Sequence, residues 1–246
     1  MLSSVVSKAY IFLLIKIFSR VIGLDLVADN HAMTLPFLFG VVGMLMGSLN
    51  AIKSHDLRRM IAFSSVAQIG YIYAALGLGT QLGMVAALYH MVMHAFAKSA
   101  LFISSSGLSD ASGDSKRFSD LRGAGLRYPM AGACFTVAAF SLVGVPLLGG
   151  FVSKLYMSEA AVGLGGWRMW VLLLTLALST LLNVLYLVRT VITLYRPPRA
   201  DYVQAPFAVS RAQRVALVGF LLVNVLYGLM AQPILDVITS GLTLFS

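Results

Sequence analysis

Seven apolar runs of about 20 residues or more divide this chain, near 2–22, 34–52, 60–79, 83–105, 130–160, 169–194 and 214–240. A run of that length forms a helix that crosses the roughly 30 Å hydrocarbon core of a bilayer, where a helix satisfies its own backbone hydrogen bonds. The sequence therefore predicts an all-α polytopic membrane protein: one membrane domain over 1–246, with about seven transmembrane helices. Composition agrees. Of the 246 residues 59% are hydrophobic and 11% charged, where soluble domains carry about 25% charged residues; the mean hydropathy is +0.88.

Formal charge is +9, a value that in a soluble chain would suggest nucleic acid. In a membrane chain it reports topology, and we expect the lipid bilayer, not nucleic acid, as the surrounding partner. The connection 53–59 holds Lys53, Arg58 and Arg59, and 108–128 holds Lys116, Arg117, Arg122 and Arg127. The last connection holds Arg196, Arg199, Arg211 and Arg214. All three fall on one side, whereas the opposite connections carry little more than Arg20 and Arg168, against Asp25 and Asp29. The excess of lysine and arginine places the first three in the cytoplasm, with Met1 cytoplasmic and Ser246 external. Lys8 and Lys16 interrupt the first apolar run instead of preceding it, which is not the pattern of a cleavable signal peptide. Cys134, the single cysteine, excludes an intrachain disulfide.

Residues 130–160 are too long for one straight crossing and contain SLVGVPLLGGFVSK. Gly144, Pro146, Gly149 and Gly150 predict a broken helix near 144–150, because proline removes a backbone donor and frees a carbonyl. Such backbone survives at membrane depth only when buried in protein or beside a watery cavity; a simple packing kink is the plainer alternative. Lys154 follows the break. An ionised lysine at the bilayer centre costs about 2.5–3.5 kcal/mol on insertion scales, so it should face the bundle interior unless it snorkels to an interface. Glu159 either pairs with it or caps the outer end of the span.

In ALYHMVMHAFAKSALF, residues 87–102, His90, His94 and Lys98 recur every four residues. On a helix they form a slanted stripe rising about 6 Å per step, with neighbouring side chains in reach directly or through one water. A metal site would need a third ligand, which the run does not supply. A structural polar network between helices is a second reading. A proton path is the third and the one favoured, since histidine titrates near neutrality and burial weakens a lysine's preference for charge. Lys8, about 10 Å from the cytoplasmic end by helix rise, suits snorkelling and function equally. Lys16 and Arg20 lie nearer the outer end. Ser64, Ser65 and Gln68 either line a wetted path or bond across helices; His31 and His55 sit in connections.

DLRRMIAFSSVAQIGYIYAALGLGT, ALYHMVMHAFAKSALFISSSGL and SLVGVPLLGGFVSKLYM together resemble the antiporter-like membrane subunits shared by respiratory complex I, the Mrp cation/proton antiporters and the membrane-bound hydrogenases. The resemblance runs over nearly the whole chain and is strongest from about residue 50 to 160. It implies one five-helix antiporter-like repeat with its broken helix, plus flanking helices, corresponding to the C-terminal half of family members. It also implies proton translocation along an axis in which Lys8, His90, His94, Lys98 and Lys154 match the family's lysine and histidine positions. Members have about fourteen spans, so the resemblance implies a separate chain supplying the missing N-terminal half, and peripheral redox subunits beside it. The expected setting is the inner membrane of a prokaryotic cell. No cysteine cluster or glycine-rich nucleotide loop is present, so no cofactor, metal or redox centre of its own is expected. The expected function is the proton-translocating subunit of a redox-driven complex; the alternative is a subunit of an Mrp-type Na+(K+)/H+ antiporter.

Overall fold

The computed structural model describes residues 6–17, 32–197 and 207–243. Arg20, Asp25, Asp29, His31 and Arg199, and the outer part of the run at 2–22, lie outside the described residues. Ten helices are described: α1 Ser7–Lys16, α2 Thr34–Ile52, α3 Leu57–Leu76, α4 Gln81–Asp110, α5 Ala124–Arg127, α6 Pro129–Val143, α7 Gly149–Leu164, α8 Gly166–Tyr195, α9 Arg211–Leu229 and α10 Ala231–Thr243. Among the described residues α2, α4, α8 and α9 are each long and apolar enough to cross a membrane. The chain is an all-α multi-pass membrane protein.

Local chemistry sets several helix ends. Asp56 accepts from the Arg59 N–H and starts α3, and Thr80 accepts from the Gly83 N–H and starts α4. Each hydroxyl or carboxylate thereby satisfies one of the first N–H groups that a helix leaves unpaired. The run at 214–240 is divided: α9 ends at Leu229 and α10 begins at Ala231. Pro233 sits in the first turn of α10, where a missing N–H costs no helical bond.

α2 and α3 pack through small residues. A Cβ on Gly40 would meet the Ala74 backbone at 2.3 Å, and one on Gly47 the Ala67 backbone at 2.3 Å, the close approach that membrane helices use for van der Waals contact. α4 is the hub, touching α3, α6, α7, α9 and α10, and it is the most enclosed of the four long helices. The Tyr89 hydroxyl donates to the Tyr227 carbonyl at 3.1 Å, and the Tyr227 hydroxyl donates to the Tyr89 carbonyl at 3.0 Å. This reciprocal pair fixes the end of α9 against α4 one residue before His90.

The connections at 53–56 and 117–119 and the last turns of α8 line one cleft, and the Leu57 N–H donates to the Lys116 carbonyl at 2.9 Å. Two of the basic connections, 53–59 and 108–128, thus gather at one end of the bundle. At the other end Arg168 donates to the Gly77 carbonyl and the Thr34 hydroxyl, tying the starts of α8 and α2 to the end of α3. Trp167 and Trp170, both largely exposed, sit at that same end, where aromatic rings favour a membrane interface.

Candidate functional site

The break between α6 and α7 is built from backbone chemistry. Gly144 takes a left-handed conformation, φ +93°, which a residue without a Cβ adopts at little cost. The Val145 N–H then reaches back to the Phe140 carbonyl at 3.1 Å, a C-terminal closure of the Schellman kind. Leu147 also has positive φ, +74°, a costly conformation for a bulky residue. The closure leaves the last carbonyls of α6 to be paired, and the Lys154 ammonium donates to those of Leu142 and Val143. A cation is favoured at this negative end of the helix, so Lys154 is 8% exposed without being unsatisfied.

His90, His94 and Lys98 are all 0% exposed and lie in line along α4. The His90 and His94 rings are 6.3 Å apart and inclined by 17°. Ser153 on α7 meets His90 Nδ1 at 2.8 Å and donates to the Gly150 carbonyl at 3.0 Å. With its hydrogen committed to that carbonyl, the Ser153 oxygen accepts, which places the imidazole proton on Nδ1. From α3 the Tyr71 ring stacks on His90, centroids 5.4 Å apart, and Lys154 Nζ stands 5.4 Å from the same Tyr71 ring. Tyr71 therefore touches both the α7 lysine, through a cation–π contact, and the α4 histidine, through ring stacking.

At the far end of the stripe Lys98 donates to the Ile61 carbonyl at 2.9 Å and to the Ser64 hydroxyl. α3 and α4 run antiparallel, so Ser64 faces Lys98 and Tyr71 faces His90. Four residues from Ser64 and from Lys98, about 6 Å along both helices, and three and four residues from Tyr71 and His90, Gln68 comes level with His94. Both ring nitrogens of His94, both amide atoms of Gln68, His90 Nε2 and Ser141 Oγ are buried with no hydrogen-bond partner among the described residues. Buried polar groups are hydrogen-bonded in nine cases out of ten or more, and a cluster of orphan donors and acceptors is the lining that ordered water requires. Ser64 and Ser65 donate their own hydroxyls back to the Ile61 carbonyl, which leaves Gln68 as the α3 side chain that completes this lining.

Lys8, 7% exposed on α1, interacts electrostatically with His90, His94 and Lys98. Lys16 instead lies over the Phe12 ring at 5.3 Å, and Glu159 is exposed. Among the described residues no three His, Cys, Asp or Glu side chains gather as a metal ion would require.

One part of the site has no counterpart in the sequence reading. Asn183 donates to the Tyr71 hydroxyl at 3.3 Å and accepts from the Tyr186 hydroxyl at 2.6 Å and the Ser48 hydroxyl at 3.5 Å. Ser48 and Ser179 meet at 3.0 Å, and Thr180 lies 3.4 Å from the Tyr71 hydroxyl. Thr175, Ser179, Asn183, Tyr186 and Thr190 are all buried along one face of α8. Their spacing of three and four residues is the signal that was available. Tyr186 also lines the cleft of about 890 Å³ at the basic end, so this network connects that cleft with the ring stacked on His90.

The fold and the site define a polytopic membrane protein that holds lysines and histidines in a buried line between its helices. The chain belongs to the NADH:quinone oxidoreductase/Mrp antiporter transmembrane family, which residues 1–180 match. Subunit N of the NADH-quinone oxidoreductase of Desulforudis audaxviator is 39% identical over 153 residues, 62% of this chain and 30% of that protein. Subunit N of the F(420)H(2) dehydrogenase of Methanosarcina mazei is 30% identical over 210 residues, 81% of this chain and 41% of that one. Among solved structures, a chain of the membrane-bound sulfane sulfur reductase, an archaeal respiratory membrane complex, superposes with a TM-score of 0.83 at 24% identity. That superposition covers 99% of this chain and 48% of that one. This chain spans less than half the length of each of these three proteins.

Proposed function

We propose that this chain is a proton-translocating membrane subunit of a redox-driven complex, and that protons move along Lys8, Lys98, His94, His90 and Lys154. The observation that carries the reading is the set of orphan polar atoms on His94, Gln68 and His90, lying between two lysines that are themselves hydrogen-bonded to backbone carbonyls. Water held on these atoms would join Lys98 to His90 by hydrogen bonds, the arrangement in which a proton hops. A positive charge on one station raises the cost of a second beside it, because Coulomb repulsion is strong at low dielectric; charge entering at one end therefore drives charge out at the other.

The site suits protons better than Na+. Among the described residues no Asp or Glu is buried, so the axis offers a hard cation no carboxylate, and its ammonium groups repel one. The N-terminal half of the family, with its own five-helix repeat, packs beside this half to complete the path, and peripheral redox subunits supply the electrons. The gathering of the 53–59 and 108–128 basic connections at one end supports a cytoplasmic N-terminus and an external C-terminus in the plasma membrane of a prokaryote.

The test is Lys98→Met in the native assembly, reconstituted into vesicles and assayed for protons moved per electron. Loss of acidification with electron transfer retained is expected. Unchanged stoichiometry would overturn the assignment.

A further inference from the structure

Arg122, in the connection before α5, is half-buried, and its Nε is enclosed with no hydrogen-bond partner among the described residues. It lines a cleft of about 460 Å³ with Arg189 and Arg196, whose apolar lining includes Val184, Leu185, Val188 and Ile192 of α8. The cleft adjoins the larger one at the basic end, sharing Arg189 with it, and Arg117 lies on that second rim. Leu185 is 52% exposed and Ile192 49% exposed. They stand on the same outward side of α8 as Leu178 and Leu181, which are also largely exposed. Arg189 and Arg196 near the end of α8, with Arg122 across the same cleft and an apolar lining whose Leu185 and Ile192 are exposed, fit one kind of ligand.

We propose that this cleft binds an anionic glycerophospholipid, with its phosphate held by Arg122, Arg189 and Arg196 and an acyl chain laid against Leu185, Val188 and Ile192. The planar guanidinium presents paired N–H donors that match phosphate oxygens, and basic pockets between transmembrane helices hold acidic headgroups by this means. Asp120, next to the cleft in sequence, already accepts from the Ser115 and Ser119 hydroxyls at 2.7 and 2.8 Å. The apolar wall selects a lipid over a free anion, because inorganic phosphate gains nothing from Leu185 or Ile192.

Native mass spectrometry of the delipidated assembly, with dioleoylphosphatidylglycerol or dioleoylphosphatidylcholine added in mixed micelles, tests the proposal. Phosphatidylglycerol is expected to remain on this chain, with its affinity lowered about tenfold by Arg122→Gln and by the double variant Arg189→Gln/Arg196→Gln. The double variant alters only exposed side chains, so its folding is not at issue. Arg168→Gln, at the opposite end, is expected to retain the lipid. Equal retention of the two lipids, or retention by both cleft variants, would overturn the proposal. Displacement of the lipid by millimolar inorganic phosphate would overturn the acyl-chain contact and reduce the site to an anion site.

Discussion

Lys154→Met separates the structural duty of this lysine from its proposed transport duty. In the fold Lys154 Nζ pairs with the Leu142 and Val143 carbonyls at the end of α6. Methionine donates nothing, so two buried carbonyls lose their partner, at about 1–3 kcal/mol each. Against that, the substitution removes the burial of an ammonium group, whose desolvation costs several kcal/mol even after relaxation. The two contributions are of similar size and opposite sign, so the net change should be within about 2 kcal/mol and the chain should assemble. Transport should behave differently. Without a station at 154 a proton leaving His90 must cross the gap as an uncompensated charge. Raising that barrier by about 3 kcal/mol slows transfer about 100-fold. The assay is vesicle acidification per electron in the assembled complex, with subunit content checked by native electrophoresis. Full assembly with pumping intact would refute the transport argument, and failure to assemble would refute the energetic cancellation.

Asn183→Leu should destabilise the chain by about 2–3 kcal/mol, because it leaves the Tyr71, Tyr186 and Ser48 hydroxyls short of a partner; a thermal melt of the purified assembly reads this, and a neutral result would mean the α8 network is not structural. Arg168→Gln breaks the link from α8 to Thr34 and Gly77 far from the axis, so it should cost about 1–2 kcal/mol of stability with protons per electron unchanged.

The ionisable stripe of α4 and the break before Lys154 were legible in the sequence for one reason. A lysine or histidine inside an apolar run is costly enough to stand out, and Gly144 and Pro146 punctuate a helix wherever they fall. Neutral polar residues carry no such mark. Thr175, Ser179, Asn183 and Tyr186 hardly lower the hydropathy of α8, so their shared face went unread although its spacing is helical. Ser153 and Tyr71, which contact His90 from α7 and α3, were illegible for a different reason: their role depends on which helices pack against α4. The division of the last run at Met230 was signalled by Pro233, but an apolar run interrupted at only one place reads as continuous.

In the proposed path, water on His94 and Gln68 joins Lys98 to His90. A cryo-EM map of the assembled complex, at a resolution that shows ordered water, tests it most directly. Density is expected within hydrogen-bond distance of His94 Nδ1 and Nε2, His90 Nε2 and the Gln68 amide, continuous from Lys98 to His90. A dry segment, with those atoms packed only against apolar side chains, would contradict it.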